Sequence, residues 1–258
     1  MKPFKEYLLI ERMIEKLWNV FKTKIPDVEH FVPNEKTGKI VFDILNKYVF
    51  ENKLEEIKIT VEHFNPNKHR DNEGNYFIGT SCLYFFGDKV KNFHKTKMSD
   101  SDFRSIYRND GIIITYYSKT TFDKFVSIIA HEMIHQLEIV DPNSKYKMYL
   151  TALAHIHGDD FKYDTHGDFF TKQMDRINEK FRLNIEPTEK MTDNEFQEMS
   201  NELKTSEGTV FEDDSLKELS EKKREEMLAL AKRMRKHLVN DGTTFVKATK
   251  DGVYLYIF

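Results

Sequence analysis

Hydrophobic residues at the start of the chain recur with a helical period. Over residues 4–24 the apolar side chains fall mostly on one stripe of a helix, formed by Leu8, Leu9, Ile14, Leu17, Trp18 and Phe21. Pro26 ends this helix, because proline has no backbone N–H with which to continue the hydrogen-bond ladder. A second helix is predicted over residues 39–53. Residues 1–53 are therefore predicted to form N-terminal helices.

The next part of the chain contains three strand-like runs. Residues 55–64 alternate between apolar and polar positions, residues 75–87 are rich in aromatic side chains, and residues 111–117 are short and β-branched. Between the second and third runs, residues 88–105 are polar and basic, which favours an exposed loop or a short helix. The three runs together predict a small mixed β-sheet.

Helical patterns return after the strands. Residues 121–140 are largely apolar and predict a long buried helix that is closed by Pro142. Residues 144–158 lie in a mixed region and predict a short helix. A further helix is predicted over residues 167–181, with an apolar stripe made of Phe170, Met174, Ile177 and Phe181. The predicted strands and helices together indicate an α+β protein.

The C-terminal part of the chain is more polar. Residues 186–213 are acidic and poor in apolar side chains, which predicts a linker. A charged helix is predicted over residues 214–239, followed by two strand-like runs around an Asp-Gly pair, which is a strong signal for a β-hairpin. We therefore predict a main domain over residues 1–185 and an accessory or docking segment over residues 214–258.

Composition narrows the class of protein. The 258 residues are 39% hydrophobic and 32% charged, with a formal net charge of -3, so the total charge does not require nucleic acid or an anionic membrane as a partner. Cys82 is the single cysteine, which excludes an internal disulfide framework and a Cys-rich zinc ribbon. The sequence has no signal-peptide pattern and no apolar run long enough to span a bilayer, so we expect a cytoplasmic protein without a membrane partner.

The clearest chemical motif is HEMIH, residues 131–135, on the predicted buried helix. His131 and His135 are four positions apart and therefore lie on one helical face, where two imidazoles can bind one zinc ion. Zinc lowers the pKa of a bound water to about 7, and Glu132 is placed to take a proton from that water and pass it to a leaving amine. The motif predicts metal-assisted hydrolysis.

A hydrolytic zinc site needs a third protein ligand and an open position. Asp141 has the spacing of a compact motif, but Glu138 stands where that motif requires a glycine turn. The other candidates are His155, His157 and His166, and the last of these has the best scaffold because helical periodicity continues after it. Four aspartates lie near His166 and are expected to belong to a solvated loop: Asp159, Asp160, Asp164 and Asp168. The alternative is that one of them orients a ligand imidazole through its free N–H.

HEMIH followed by HGDFFTKQMDRIN, residues 166–178, resembles the signature of the SprT-like (Spartan-type) zinc metallopeptidases. That signature is an H-E-x-x-H helix, then H-G-x-x-F, then a methionine and an Ile-Asn pair at fixed offsets. Counted from His166, every position agrees: Gly167, Phe170, Met174, Ile177 and Asn178. Counted from His157, the agreement ends after the first five positions. The resemblance therefore selects His166 as the third ligand.

The resemblance also implies a fold and an activity. It implies a zincin-like (gluzincin-like) α+β metallopeptidase domain over residues 1–185, with its catalytic core over residues 55–181. It further implies a zinc-dependent endopeptidase that uses Glu132 as general base and acts on a protein substrate, including proteins bound or crosslinked to nucleic acid. Direct DNA contact is left open, because the single cysteine excludes the zinc ribbon that many family members carry.

The spacing of the two motifs separates this chain from compact family members. The distance between the two motifs predicts an insertion at about residues 142–160. The alternative function is a non-catalytic, zinc-stabilised protein- or DNA-binding module with a vestigial protease site. Structural zinc sites usually close all four positions, whereas this motif keeps a glutamate placed to act on water. The sequence predicts no oligomeric state.

Overall fold

The computed structural model of the protein describes residues 4–25, 27–63, 79–86, 105, 107–116, 120–141, 164–187, 211–212, 214–236 and 244–257. These residues form five α-helices: α1 (Phe4–Lys24), α2 (Glu35–Tyr48), α3 (Phe122–Val140), α4 (Asp168–Phe181) and α5 (Glu221–Lys236). They also form six strands: β1 (Ile59–His63), β2 (Gly79–Phe86), β3 (Tyr107–Tyr116), β4 (Phe211–Glu212), β5 (Thr244–Ala248) and β6 (Gly252–Ile257). The predicted α+β class and the small mixed sheet are confirmed.

All six strands belong to one sheet in the order β1-β3-β2-β6-β5-β4. The β1–β3 and β4–β5 pairs are parallel, and the other neighbours are antiparallel. The predicted C-terminal hairpin is present as β5 and β6, and its turn is held by the Thr249 N–H, which donates to the Gly252 carbonyl at 2.9 Å. Because β6 pairs with β2 along six residues, the C-terminal hairpin is part of the same sheet as the N-terminal strands.

The β2–β3 ladder contains a bulge that the sequence pattern did not predict. Cys82 pairs with Gly111 and Leu83 pairs with Asn109, so Asp110 is an extra residue on β3. Gly111 has φ +95°, and a Cβ at this position would lie 2.0 Å from the Lys58 carbonyl oxygen. Glycine is required here, because an L side chain rarely adopts this backbone conformation and would collide with the Lys58 backbone just before β1.

The helix α3 runs through the interior of the protein. Every residue from Phe125 to Ile139 is buried, because α3 packs against β2 and β3 on one side and against α2 and α4 on another. An aromatic cluster joins α1 to the start of α3, with ring centroids 5.0–6.1 Å apart among Trp18, Phe21, Phe31, Phe122 and Phe125. Among the residues described, no helix is both long and apolar enough to span a lipid bilayer.

Two predicted helix boundaries differ from the structure. The second helix spans Glu35–Tyr48 instead of 39–53, because the Asn34 side chain caps it by accepting from the Thr37 N–H at 3.0 Å. The prediction of one helix over 214–239 is wrong in its first turns, where a short 3₁₀-helix at Asp214–Glu218 precedes α5. Predictions for 88–104, for the helix at 144–158 and for most of the 186–213 linker lie outside the described residues.

Candidate metal centre

The helix α3 places the two motif histidines one turn apart. Its first turn is capped by Thr121, whose side chain accepts from the Lys124 N–H at 3.3 Å. His131 and His135 follow on the same face, and both are completely buried. Two imidazoles without solvent exposure need nearby groups that satisfy their ring nitrogens.

The start of α4 brings His166 to the same place. The Asp164 carboxylate accepts from the His166 backbone N–H at 2.9 Å, and Gly167 is the N-cap residue of the helix. A Cβ on Gly167 would lie 3.1 Å from the Asp164 carbonyl oxygen, so a larger residue would strain this turn. His166 therefore lies immediately before the N-cap of a regular helix, as the sequence predicted.

The three imidazoles form a compact group. His131 Nε2 lies 3.2 Å from His135 Nε2 and 3.2 Å from His166 Nε2. One ligand atom from each of the three histidines lies within 4.8 Å of the others. In a tetrahedral site with Zn–N bonds of about 2.0–2.1 Å, neighbouring nitrogens are about 3.3–3.4 Å apart. The two short separations therefore fit a shared metal ion.

The protonation of His131 follows from its second ring nitrogen. Nδ1 lies 2.9 Å from the backbone carbonyl of Glu186. A carbonyl oxygen can only accept, so Nδ1 carries the hydrogen, and Nε2 of the neutral ring presents its lone pair to His135 and His166. One lone pair accepts one N–H, yet two imidazole nitrogens approach it. A cation between the three rings satisfies this arrangement better than hydrogen bonds alone.

Burial keeps the α3 histidines in the neutral form that ligates metals. The pKa of His131 is lowered to about 3, chiefly by desolvation and then by the nearby His166. The pKa of His135 lies well below its ordinary value, again chiefly because of burial and then because of His166 and His131. Both imidazole rings are therefore in the neutral, singly protonated form at neutral pH.

Phe170 packs against all three imidazoles. Its ring centroid lies 4.7 Å from His131, 4.8 Å from His135 and 4.6 Å from His166, and its side chain has no solvent exposure. The phenyl ring excludes water from one side of the cluster and restricts the rotation of the histidines. This contact explains why a phenylalanine one turn after His166 belongs to the motif.

Glu132 points toward strand β2. The Ser81 hydroxyl lies 3.0 Å from Glu132 Oε2 and 3.1 Å from the Glu132 backbone carbonyl, and it can donate to either oxygen. A Cβ on Gly79 would lie 2.6 Å from Glu132 Oε1, so any larger residue at position 79 would displace this carboxylate. Sequence reasoning missed Ser81 and Gly79, because 51 positions separate Ser81 from the glutamate and no local pattern links them.

Among the described residues, Asp141 does not belong to the group of three histidines. Asp141 is the C-cap of α3, and its backbone N–H donates to the Leu137 carbonyl at 3.0 Å. The alternative that a nearby aspartate orients a ligand imidazole does not apply to His131, whose Nδ1 lies 2.9 Å from the Glu186 carbonyl, while Asp164 accepts from the His166 backbone N–H. His155 and His157 lie outside the described residues, as do Asp159 and Asp160.

Comparison with known proteins identifies no relative of this chain. No protein-family model matches the sequence, and neither a curated protein nor a solved structure matches it. The resemblance to the SprT-like metallopeptidases therefore rests on the motif residues themselves. The structure adds that His131, His135 and His166, which this resemblance selected, lie together in space.

Proposed function

We propose that the protein is a zinc-dependent endopeptidase with a zincin-like fold. The observation that carries the proposal is the convergence of His131, His135 and His166 beside a glutamate that follows the first histidine. Three histidine ligands with a fourth position left for water or substrate are typical of catalytic zinc sites. We propose zinc because the H-E-x-x-H pattern on a helix is a zinc-binding pattern of metalloproteases, and imidazole nitrogen is a donor that suits zinc.

The chain's own residues supply ligation, orientation and proton transfer. When bound, zinc would lower the pKa of water to about 7 and polarise a substrate carbonyl. Glu132 takes a proton from the attacking water and delivers it to the leaving amine. The Ser81 hydroxyl, within hydrogen-bonding distance of Glu132 Oε2, restricts that carboxylate to one orientation, and Phe170 keeps water from one side of the three imidazoles.

The proposed substrate is a protein cleaved at a peptide bond in an extended segment. The motif resemblance supports a substrate that is bound or crosslinked to nucleic acid. The near-neutral balance of the whole chain, with a formal net charge of -3, offers no strong electrostatic attraction to DNA on its own. Recognition of the protein component is therefore the primary interaction in this proposal.

The proposal is tested with an unfolded protein substrate such as casein and three proteins: the parent, Glu132→Gln and Glu138→Gln. Glu138 is a matched control because it is a buried glutamate on the same helix. We expect Glu132→Gln to retain zinc and to lose about 10²–10⁴-fold in hydrolysis rate, because it removes the general base. Glu138→Gln should keep the parent rate. Equal rates for the parent and Glu132→Gln would contradict the proposal.

One observation favours the alternative of a non-catalytic, zinc-stabilised binding module. His131, His135 and Glu132 have no solvent exposure, which is typical of metal sites that hold a fold together. In that case zinc removal would unfold the protein, because the free energy of metal binding is then free energy of folding. Retention of the folded structure after chelation, together with loss of hydrolysis, favours the peptidase.

A further inference from the structure

The short segment after α4, residues 182–187, runs back from the third-ligand helix and contacts α3. We name it the return segment. Its backbone is unusual, because Arg182 and Asn184 have positive φ angles of 51° and 54°. Leu183 and Ile185 are each 3% exposed, so the segment is packed into the interior. Such a conformation persists when the surrounding contacts determine it.

Asn178, in the last turn of α4, fixes the return segment through both ends of its side-chain amide. Its Nδ2 donates to the Ile185 carbonyl at 2.8 Å, and its Oδ1 accepts from the Ile185 N–H at 2.8 Å. The two bonds hold both backbone polar groups of one residue, so Ile185 can neither rotate nor slide without losing one of them. The Ser127 hydroxyl adds a third tie by donating to the Asn184 carbonyl at 3.0 Å.

The residue after this clamp contacts the histidine cluster directly. The Glu186 carbonyl is the group that lies 2.9 Å from His131 Nδ1. Its position is restricted by the adjoining Ile185, since the two peptide planes share one Cα and only the two dihedral angles of Glu186 lie between them. Asn178 is therefore linked to His131 through the backbone of Ile185 and Glu186. An acceptor of this kind selects the tautomer and the ring orientation of a ligating histidine.

We infer that Asn178 is a positioning residue for the metal centre, acting through Ile185 and the Glu186 carbonyl on the His131 ring. The inference rests on the proposed metal-binding function of the three histidines. It predicts that loss of the clamp loosens the acceptor of His131 and weakens metal binding, although Asn178 itself does not touch the imidazoles. Partners that orient ligating histidines typically contribute 10–100-fold to metal affinity.

The chain contains a matched control for this clamp. Asn46 in α2 holds Leu54 in the same way, with its Nδ2 donating to the Leu54 carbonyl at 3.0 Å and its Oδ1 accepting from the Leu54 N–H at 3.2 Å. That second clamp fixes the turn between α2 and β1. Substitution of either asparagine by alanine removes an equivalent pair of hydrogen bonds. Only Asn178, however, holds the residue that precedes the acceptor of His131.

The test measures zinc dissociation constants by competition with a chromophoric chelator, and the visible absorption spectrum of the Co²⁺-loaded protein. We compare the parent, Asn178→Ala, Asn178→Asp and Asn46→Ala. We expect Asn178→Ala to weaken zinc binding by about 10–100-fold and to alter the cobalt spectrum. Asn46→Ala should match the parent in both, even where the two variants lose similar thermal stability. Asn178→Asp should be intermediate, because it retains the acceptor for Ile185 N–H and loses the donor.

The outcomes separate this inference from the proposed function. Equal zinc affinity and equal cobalt spectra for Asn178→Ala and Asn46→Ala would overturn the positioning role while leaving the metal site intact. Absence of zinc and cobalt binding in the parent would overturn both. If Asn178→Ala does not fold, the comparison passes to Asn178→Asp, for which zinc affinity equal to that of the parent would overturn the inference.

Discussion

At the scale of single residues, the candidate metal centre depends on contacts between residues that are distant in the sequence. The two motifs predicted which side chains meet, because the spacing within each motif places them on a helical face or at a helix start. The groups that orient them were not predictable in the same way. Ser81 comes from β2, and the acceptor of His131 is a backbone carbonyl at Glu186, whose position depends on tertiary packing.

Gly79→Ala tests whether β2 shapes the position of Glu132. The added methyl would lie 2.6 Å from Glu132 Oε1 and 2.8 Å from Ile128 Cγ2, so the carboxylate must move. We expect hydrolysis to fall at least about 10-fold with zinc retained, because small displacements of a catalytic group are costly. Gly38→Ala is the control, since its methyl meets the apolar Ile59 side chain at 2.9 Å. Parent-like hydrolysis in Gly79→Ala would count against this role.

The low pKa values of the buried histidines predict how the stability of the metal-free protein depends on pH. His131 has a pKa of about 3 when folded and an ordinary value of 6.5 when unfolded, so between these values the unfolded state binds more protons. Stability is therefore complete above about pH 6.5 and falls as the pH decreases. We expect a loss of about 1.4 kcal/mol per pH unit for each such histidine.

This pH dependence is measured by urea unfolding in the presence of a chelator between pH 7 and pH 5. The double variant His131→Gln, His135→Gln should show a smaller slope, because glutamine does not titrate. The same slope in the parent and in the double variant would show that the two histidines are not held neutral in the folded protein.

At the scale of elements, prediction succeeded where the sequence contains a strong apolar stripe. Helices α1, α3 and α4 begin and end within one residue of their predicted positions, since their buried faces have a clear helical period. The limits of α2 were misplaced because the Asn34 cap lies before its apolar residues. The bulge at Asp110 has no signature in the periodicity, because it is set by pairing with a strand that is distant in sequence.

Gly111→Ala tests the importance of this bulge. Its φ of +95° and the 2.0 Å approach of the Lys58 carbonyl leave no space for a methyl group, so the β1–β3 pairing must shift. We expect the free energy of unfolding to fall by at least about 1–3 kcal/mol, as measured by urea denaturation. Unchanged stability would mean that the strands accommodate an extra side chain at this position.

At the scale of the whole molecule, the C-terminal segment completes the sheet. The sequence predicted a main domain over residues 1–185 and an accessory segment over 214–258, and the helix and hairpin of that segment are present. The hairpin lies beside β2, which also carries Ser81 and Gly79 next to Glu132. The strand-pairing order could not be predicted from local patterns, because it joins residues more than 160 positions apart.

Truncation after residue 213 tests this organisation. The shortened chain loses α5, β5 and β6, which exposes the edge of β2, where the buried Leu83 pairs with Leu255 of β6. We expect aggregation or loss of cooperative thermal unfolding. A soluble, cooperatively folded 1–213 fragment would show that the C-terminal segment is dispensable for the fold.

The most direct test of the central claim is the zinc content per chain of the purified parent, His166→Ala and His30→Ala proteins. His30 is an exposed histidine paired with Asp27, so its removal controls for non-specific loss. We predict about one zinc per chain in the parent and in His30→Ala, and little or none in His166→Ala. A parent that holds no zinc after zinc is supplied, or a His166→Ala variant that holds as much as the parent, would contradict the three-histidine metal centre.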